Sequence, residues 1–560
     1  TYSGQDSACQ FGSAFPDPDN NTKRCFPQWY TPQQAPAGWS WWHKYRVDKV
    51  VEKDLVGGSP DVEHAYTYST VGASTAVLWG HDDGPATWTT PLAQRSWADW
   101  RGYPTVTVTT GPSSGPKTET KSLYFRGLKD DYTDTGENRT STITNSNGEV
   151  WQDEKYRAGF LHQTVEYEAP GGQELKRTIW DPTSYQTGQR TLSDTWAIPT
   201  VHTSYINRIA KERTWTWLAV TGTWRTTSKT NTWNPTYGVI TQVDDQGDTA
   251  TTADDLCERT WYTFNTTKYL IDFPNREETV GVNCATTPSY PADAVEDTRT
   301  YYDGAASYTT APTTGNATRT DKVASYAGST PNPVKTSTTG YDAWGRETSS
   351  GDELDRFTTK SYTQNSAGLT VTETETNPAG HVTTTTFDPA LGEPVKEVDP
   401  NGKTTEASYD ALGRLLKVWL PGRDKATQTP NTEYVYTVRK SGGVTAAQTK
   451  ELGPNGNQIS SFELYDGLLR LRQTQSTAPD GKRMIEDTSY DGRGLEAKES
   501  AFYNAASAPT DVLASFADTD VATQHRYTYD GLERRTVDAV WANNVFKWQT
   551  NTVYQGDRIG

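Results

Sequence analysis

The sequence has little from which to build a conventional core. Of 560 residues, hydrophobic types make up 33%, there is a single methionine, Met484, and mean hydropathy is −0.80. No run of about 18 or more apolar residues occurs, which excludes a transmembrane helix. Positive charge is in deficit, with 53 Lys and Arg against 70 Asp and Glu, a formal net charge of −17. A nucleic-acid or anionic-membrane partner would call for a basic face, so neither is expected. Histidine is scarce: His43, His64, His81, His162, His202, His381 and His525 are scattered, with no metal-ligand or triad spacing. No cofactor, metal ligand or catalytic residue is assigned, and the chain is not expected to be an enzyme. With 70 acidic residues, carboxylate pairs of the glycosidase kind arise by coincidence. Helical periodicity with caps at both ends is missing too, Ile206 to Glu212 being the one candidate for a short helix.

Cysteine is limited to two local pairs, Cys9 with Cys25 and Cys257 with Cys284. The even number and proximity predict two disulfides and an oxidising, extracytoplasmic compartment. Free thiols remain an alternative; a four-thiolate zinc site is disfavoured because C-x-x-C spacing is absent. The chain opens at Thr1 without a signal sequence, which reads as a processed or excised piece whose targeting information is lost.

What is abundant is aromatic and β-forming: 20 Trp, 31 Tyr and much Thr. Low apolar content with high charge marks disorder only where aromatics are few, so this balance points to strands with large amphipathic side chains over a thin core. Tyr103 to Thr109 alternates with period two, breaks at Gly111 to Gly115, and returns through Thr118 to Phe125. Thr164 to Glu168, the turn Pro170-Gly171-Gly172, and Glu174 to Trp180 repeat that hairpin pattern.

A self-similar phrase organises the C-terminal half. Tyr409-Asp410-Ala411-Leu412-Gly413-Arg414 has relatives in Tyr341-Asp342-Ala343-Trp344-Gly345-Arg346, Tyr465-Asp466-Gly467, Tyr490-Asp491-Gly492 and Tyr529-Asp530-Gly531. Asp at the first and Gly at the fourth position of a turn predict a type I turn followed by a left-handed Gly, the three-residue hairpin loop. A second turn class alternates with it, as in Asn377-Pro378-Ala379-Gly380, Asp399-Pro400-Asn401-Gly402 and Gly453-Pro454-Asn455-Gly456. Strand-length runs lie between the two classes, so the chain reads as a serpentine antiparallel β-hairpin ribbon. Spacing is irregular, and degenerate units are expected between Asp410 and Asp466, around Tyr434 and Tyr436.

Tyr-Asp-x-x-Gly-Arg phrases alternating with Asp-Pro-Asn-Gly turns resemble the YD or Rhs repeat family, with Asp399 to Leu415 close to a family consensus. The flavour is that of large secreted actinobacterial Rhs proteins. The resemblance covers about 301–560 and implies an all-β ribbon spiralling into a hollow shell around a cargo, often the C-terminal segment of the same polypeptide. The family's self-cleaving core motif is not found here. Four regions are expected: a Trp/Pro-rich segment 1–60, hairpins 61–234, a junction 235–300 and the repeats 301–560. The expected role is a secreted or cell-surface shell segment in toxin delivery or inter-bacterial competition.

Two further readings stay open. Trp39, Trp41 and Trp42, or Trp97 with Trp100, could stack on a cell-surface glycan, although core packing is the plainer account. Asp244, Asp245, Asp248, Asp254 and Asp255, and the smaller Asp82-Asp83-Gly84, supply oxygens for calcium, but not at the EF-hand spacing, and read better as solvated acidic loops.

Overall fold

The structure is a computed structural model, describing residues 1–560 apart from 11, 13, 32, 34, 35, 83–93, 134–137, 194–198, 557 and 560, and the side chains of 192–193, 199–200 and 558–559. It is an all-β chain dominated by one antiparallel sheet of thirty strands, here β1 to β30, each paired with its neighbour along the chain.

The first eight strands are β1 (Lys49–Glu52), β2 (Val62–Ser69), β3 (Thr105–Thr110), β4 (Thr118–Tyr124), β5 (Leu161–Tyr167), β6 (Glu174–Ser193), β7 (Pro199–Leu218) and β8 (Thr223–Trp233). The middle runs through β9 (Ile240–Asp248), β10 (Leu256–Tyr262), β11 (Pro274–Val280), β12 (Ala294–Tyr302), β13 (Ala317–Ala327), β14 (Thr330–Tyr341), β15 (Glu347–Gly351), β16 (Phe357–Gln364), β17 (Thr370–Thr376) and β18 (Val382–Phe387). The remainder is β19 (Pro394–Val398), β20 (Thr404–Tyr409), β21 (Leu415–Trp419), β22 (Thr432–Thr437), β23 (Thr445–Leu452), β24 (Gln458–Tyr465), β25 (Leu471–Thr477), β26 (Arg483–Tyr490), β27 (Glu496–Asn504), β28 (Thr523–Tyr529), β29 (Arg535–Ala542) and β30 (Val545–Asn551).

The segment Ile206 to Glu212, expected as a short helix, lies inside β7 and pairs with β6 and, from Lys211, with β8. Its helix-compatible Arg-Ile-Ala-Lys-Glu composition, Arg208 to Glu212, is overridden by ladder hydrogen bonds and by flanking Thr, Tyr and Trp that suit a pleated surface. Helix among the described residues is confined to 3-10 turns such as Ser7–Cys9, and none is long and apolar enough to cross a membrane.

Most ribbon residues are half-buried, because a single layer leaves both faces near water. Burial is deepest in two places, with a smaller group around Cys257, Val280 and Tyr302 in the middle strands. Excursions from the first strands fold with residues 1–48 into a cap, where Trp79, Leu78, Phe125, Leu128 and Ile143 are almost fully buried. In this cap Trp79 packs on Phe26 at 4.4 Å and donates from Nε1 to Lys23 O at 2.7 Å. Near the other end, the excursion after β27 lies across the sheet. There Phe516 packs on Phe502 at 4.6 Å, and Gln475 Nε2 reaches Val512 O at 2.8 Å.

Candidate functional site: the ribbon's rims and seam

Each Tyr-Asp corner is built by one carboxylate. Asp410 Oδ1 accepts from Leu412 N at 2.8 Å and Arg414 N at 3.0 Å, while Oδ2 accepts from Arg414 Nε at 2.7 Å. The backbone closes around it, with Gly413 N donating to Asp410 O at 3.0 Å and Asp410 N to Arg414 O at 2.9 Å. Gly413 sits at φ +75°, where an L side chain is strained. Asp342, with Gly345 and Arg346, repeats the arrangement, as do Asp466 with Arg470 and Asp530 with Arg534. At Asp491 the arginine stands two residues on, and Arg493 donates to it through both its backbone N and its Nε.

Consecutive corners are then tied by tyrosine. The Tyr436 hydroxyl donates to Leu415 O at 3.0 Å, the first residue after the preceding corner, and Arg414 of that corner lies over its ring at 4.7 Å. Tyr362 does the same behind Arg346, Tyr490 behind Arg470, and Tyr554 behind Arg534. Tyr529 bonds to Glu496 O at 2.7 Å under Arg493, and Tyr409 to Pro394 O at 3.0 Å. Tyr341 reaches Ala317 O. The phrase is therefore a ladder: Asp locks its own turn, Arg braces it, and the next Tyr clamps it from behind.

The two turn classes occupy opposite rims. Asp303, Asp342, Asp410, Asp466, Asp491 and Asp530 all follow even-numbered strands, whereas Asn377 and Asp399 follow odd-numbered ones. Asp399 uses the same geometry, accepting from Asn401 N and Lys403 N, whereas the Gly453 turn is closed by its backbone alone, Gly456 N donating to Gly453 O at 3.0 Å. The irregular spacing has a local cause. The even-strand corners at Asn365 and Asp388 replace the full phrase, and Val438–Gly443 holds Arg439, paired with Asp511, where an Asp would stand. Tyr465, next after that altered corner, turns to Glu463 at 2.6 Å.

The ribbon coils back on itself at a fixed interval. Gly467 N donates to Asp54 Oδ1 at 2.8 Å and Gly531 N to Glu168 Oε2 at 3.3 Å. Gly492 abuts Pro112, and Gly556 abuts Arg225. Loop β1–β2 thus meets β24–β25, β3–β4 meets β26–β27, β5–β6 meets β28–β29, and the β7–β8 hairpin, through Leu218 and Arg225 of its strands, meets the segment after β30. Each partner lies twenty-three strands further along. An odd interval is what a spiral requires, because only then does the rim of one coil face the opposite rim of the next.

Glycine position records this seam. In the corners at Asp466, Asp491 and Asp530 the Gly directly follows Asp, and the left-handed position is filled instead by Leu469 (φ +60°), Gly494 and Glu533 (φ +62°). A Cβ on Gly531 would lie 2.1 Å from Tyr167 O and 2.4 Å from Glu168 Cα. One on Gly492 would lie 2.3 Å from Pro112, and one on Gly467 2.8 Å from Asp54 Oδ1. Away from the seam, a Cβ on Gly402 would meet nothing within 4 Å. The residue after Asp is glycine in these three corners, where another coil touches it; at Asp491 the left-handed glycine is kept as well.

The cysteines join as Cys9–Cys25 and Cys257–Cys284. Asp6, Cys9 and His43 come together in metal-like fashion, but Cys9 is spent in its disulfide and Asp6 is ion-paired with Arg24. The acidic loop is internally used. Asp244 takes Cys284 N at 2.7 Å, Asp245 pairs with Lys229 at 2.9 Å, Asp248 with Arg225 at 3.0 Å, Asp254 takes Asp248 N at 2.9 Å, and Asp255 takes Asn283 Nδ2 at 3.2 Å. Asp82 takes Ser96 N; Asp83 and Gly84 lie outside the described residues. Trp97 donates to Tyr132 O and Trp100 packs edge-on against Trp79, as parts of the cap. Trp41 is stacked by Phe15 at 4.5 Å, whereas Trp39 and Trp42 are each nearly half-exposed.

Comparison with solved structures identifies the fold as that of the Rhs-type shell in toxin complexes. The chain matches TcdB2–TccC3–TEV with a TM-score of 0.63 and 11% identity, over 92% of this chain and 33% of that one. It matches a Photorhabdus luminescens Tc holotoxin pore at 0.64 and 12%, over 93% and 33% respectively. TcdB2–TccC3 without its hypervariable C-terminal region gives 0.62 and 12%, over 92% and 33%. This chain therefore spans about a third of the length of those chains. No protein-family model and no curated protein matches the sequence.

Proposed function

We propose that this chain is a stretch of wall in a hollow β-shell belonging to a larger secreted protein, and that the shell encloses or presents a cargo during toxin delivery or competition between bacteria. The observation that carries the reading is the seam: four successive hairpins along one rim meet the ribbon again at one odd interval, as turns of a coil do. The surface area supports it. The chain exposes 29,512 Å², whereas a compact monomer of its 62.1 kDa mass exposes about 20,000 Å². The excess is that of a sheet with water on two sides. Coiling also covers part of the rims, whose corners would otherwise stand free. The fold likeness to toxin-complex shells supports a cargo, which would be a separate segment or partner. Negative-stain images of the intact parent protein test this. A hollow particle with stain-excluding content is expected; a solid globule or an extended rod overturns it.

A further inference from the structure

A cleft of about 350 Å³ opens where residues 44–47 cross the face of β2 to β4, beside the segment 100–103. Every charged residue lining it is a cation: Lys44, Arg46, Arg101 and Arg126. In a chain of net charge −17 that is a local reversal.

Two of these charges are compensated from outside the lining, Arg46 by Asp48 at 3.1 Å and Arg101 by Asp99 at 2.5 Å. Of the other two, Lys44 has no carboxylate partner among the described residues, and Arg126 has none bonded to its guanidinium; Asp153, which accepts from the Arg126 backbone N–H at 2.7 Å, offsets its charge only from a distance. The Lys44 ammonium lies over the Trp100 ring at 5.6 Å. Arg126 is 2% exposed and bonds only carbonyls through its Nη atoms, Val77 O at 2.6 Å and Thr75 O at 2.8 Å. Its Nε and that of Arg101 are buried without an acceptor. Burial pulls the Arg126 guanidinium down to about 10, so it stays charged at neutral pH while poorly solvated. A buried guanidinium with no carboxylate bonded to it is incompletely compensated, and an anion in the cleft would complete the compensation.

The walls narrow the choice of anion. Arg46 is held between the Tyr68 and Tyr103 rings at 5.0 and 5.5 Å, and Trp100 and Tyr45 flank the opening. A bare inorganic ion would engage the cations alone, whereas a ring carrying a carboxylate engages both the cations and the aromatic lining. The volume is at the small end of the range for organic ligands. We propose that the cleft binds an acidic sugar, a uronate unit of a polysaccharide, with its carboxylate toward Lys44 and Arg126 and its ring against the aromatic wall.

The test is isothermal titration calorimetry of the whole chain with sodium glucuronate, glucose and sodium sulfate up to about 50 mM each. Saturable glucuronate binding is expected, with glucose and sulfate at least about tenfold weaker. Lys44→Met, at an exposed position, should weaken glucuronate about tenfold, while the exposed control Lys440→Met leaves it unchanged. No saturable heat, equal binding of glucose, sulfate binding as tightly as glucuronate, or no effect of Lys44→Met would each overturn the proposal.

Discussion

Asp410 and Asp466 hold the same turn with the same atoms but in different surroundings. The Asp410 side chain is 20% exposed and that of Asp466 is 0% exposed, enclosed by the coil that Gly57 brings against it. Removing a partly exposed carboxylate frees an arginine that water can take up. Removing an enclosed one leaves Arg470 and two backbone donors stranded. Asp466→Ala should therefore cost about 3 kcal/mol or more, and Asp410→Ala a small fraction of that, in urea unfolding of the two variants. Equal costs would mean that the seam does not enclose the corner. Acid should act through the same group. The Arg414 backbone N–H, with the Arg414 side chain, holds the Asp410 carboxyl below its usual range. A depressed carboxylate contributes fully above the unfolded value of about 4, and its contribution is lost as pH falls through the lower folded value. The Leu412 and Arg414 amide resonances should hold their positions to below about pH 4 and then shift together. A shift centred above that pH would contradict the corner geometry. Gly531 offers the sharpest residue-scale contrast. Gly531→Ala forces a Cβ into Tyr167 and Glu168 and should cost about 1–3 kcal/mol while raising hydrogen exchange at 167–168. Gly402→Ala should cost about 1–2 kcal/mol from its left-handed backbone alone and leave 167–168 protected.

The hairpins were readable because their determinants are local. An Asp, a tight turn and a Gly within five residues specify a corner wherever it occurs, and period-two runs specify what lies between. The corner Asp352 to Arg356 escaped that reading because Asp355, at φ +58°, fills the position expected of Gly. Ile206 to Glu212 misled for the converse reason, since its local preference is helical and the decision lies with strands on either side. The seam depends on contacts 413 and 363 residues apart, Asp54 with Gly467 and Glu168 with Gly531, and no local pattern carries that information. Gly467, Gly492 and Gly531, each directly after its Asp, mark where the coils touch, but the glycine alone does not say what it touches. The disulfides act at this scale too. Each staples a segment where the ribbon leaves simple hairpin form, across 16 residues for Cys9–Cys25 and 27 for Cys257–Cys284. Loops of those sizes are worth about 3 to 3.5 kcal/mol. Replacing Cys9 and Cys25 by Ser should release residues 1–48 to protease under conditions where 301–551 stays resistant. Simultaneous cleavage of both regions would show that the cap and the ribbon unfold as one unit.

A coiled single layer has mechanical consequences that a packed globule lacks. Along the ribbon every strand is held by a continuous ladder of backbone hydrogen bonds, so extension in that direction is stiff. Between coils the contacts described are a few loop tips, two carboxylate-to-glycine bonds and the close packing of glycine against backbone. The seam is accordingly the weak direction, and its failure should enlarge the particle without melting the strands. A compact chain of 560 residues has a radius of gyration of about 24 Å. Small-angle scattering of this chain should give a clearly larger value, because its mass lies in a wall rather than in a filled centre. The triple variant Gly467→Ala, Gly492→Ala, Gly531→Ala should raise the radius further while the far-ultraviolet β signature is retained. A wild-type value near 24 Å would remove the hollow wall. A triple variant that loses its β signature together with its dimensions would show that the coils hold the strands, rather than the strands holding the coils.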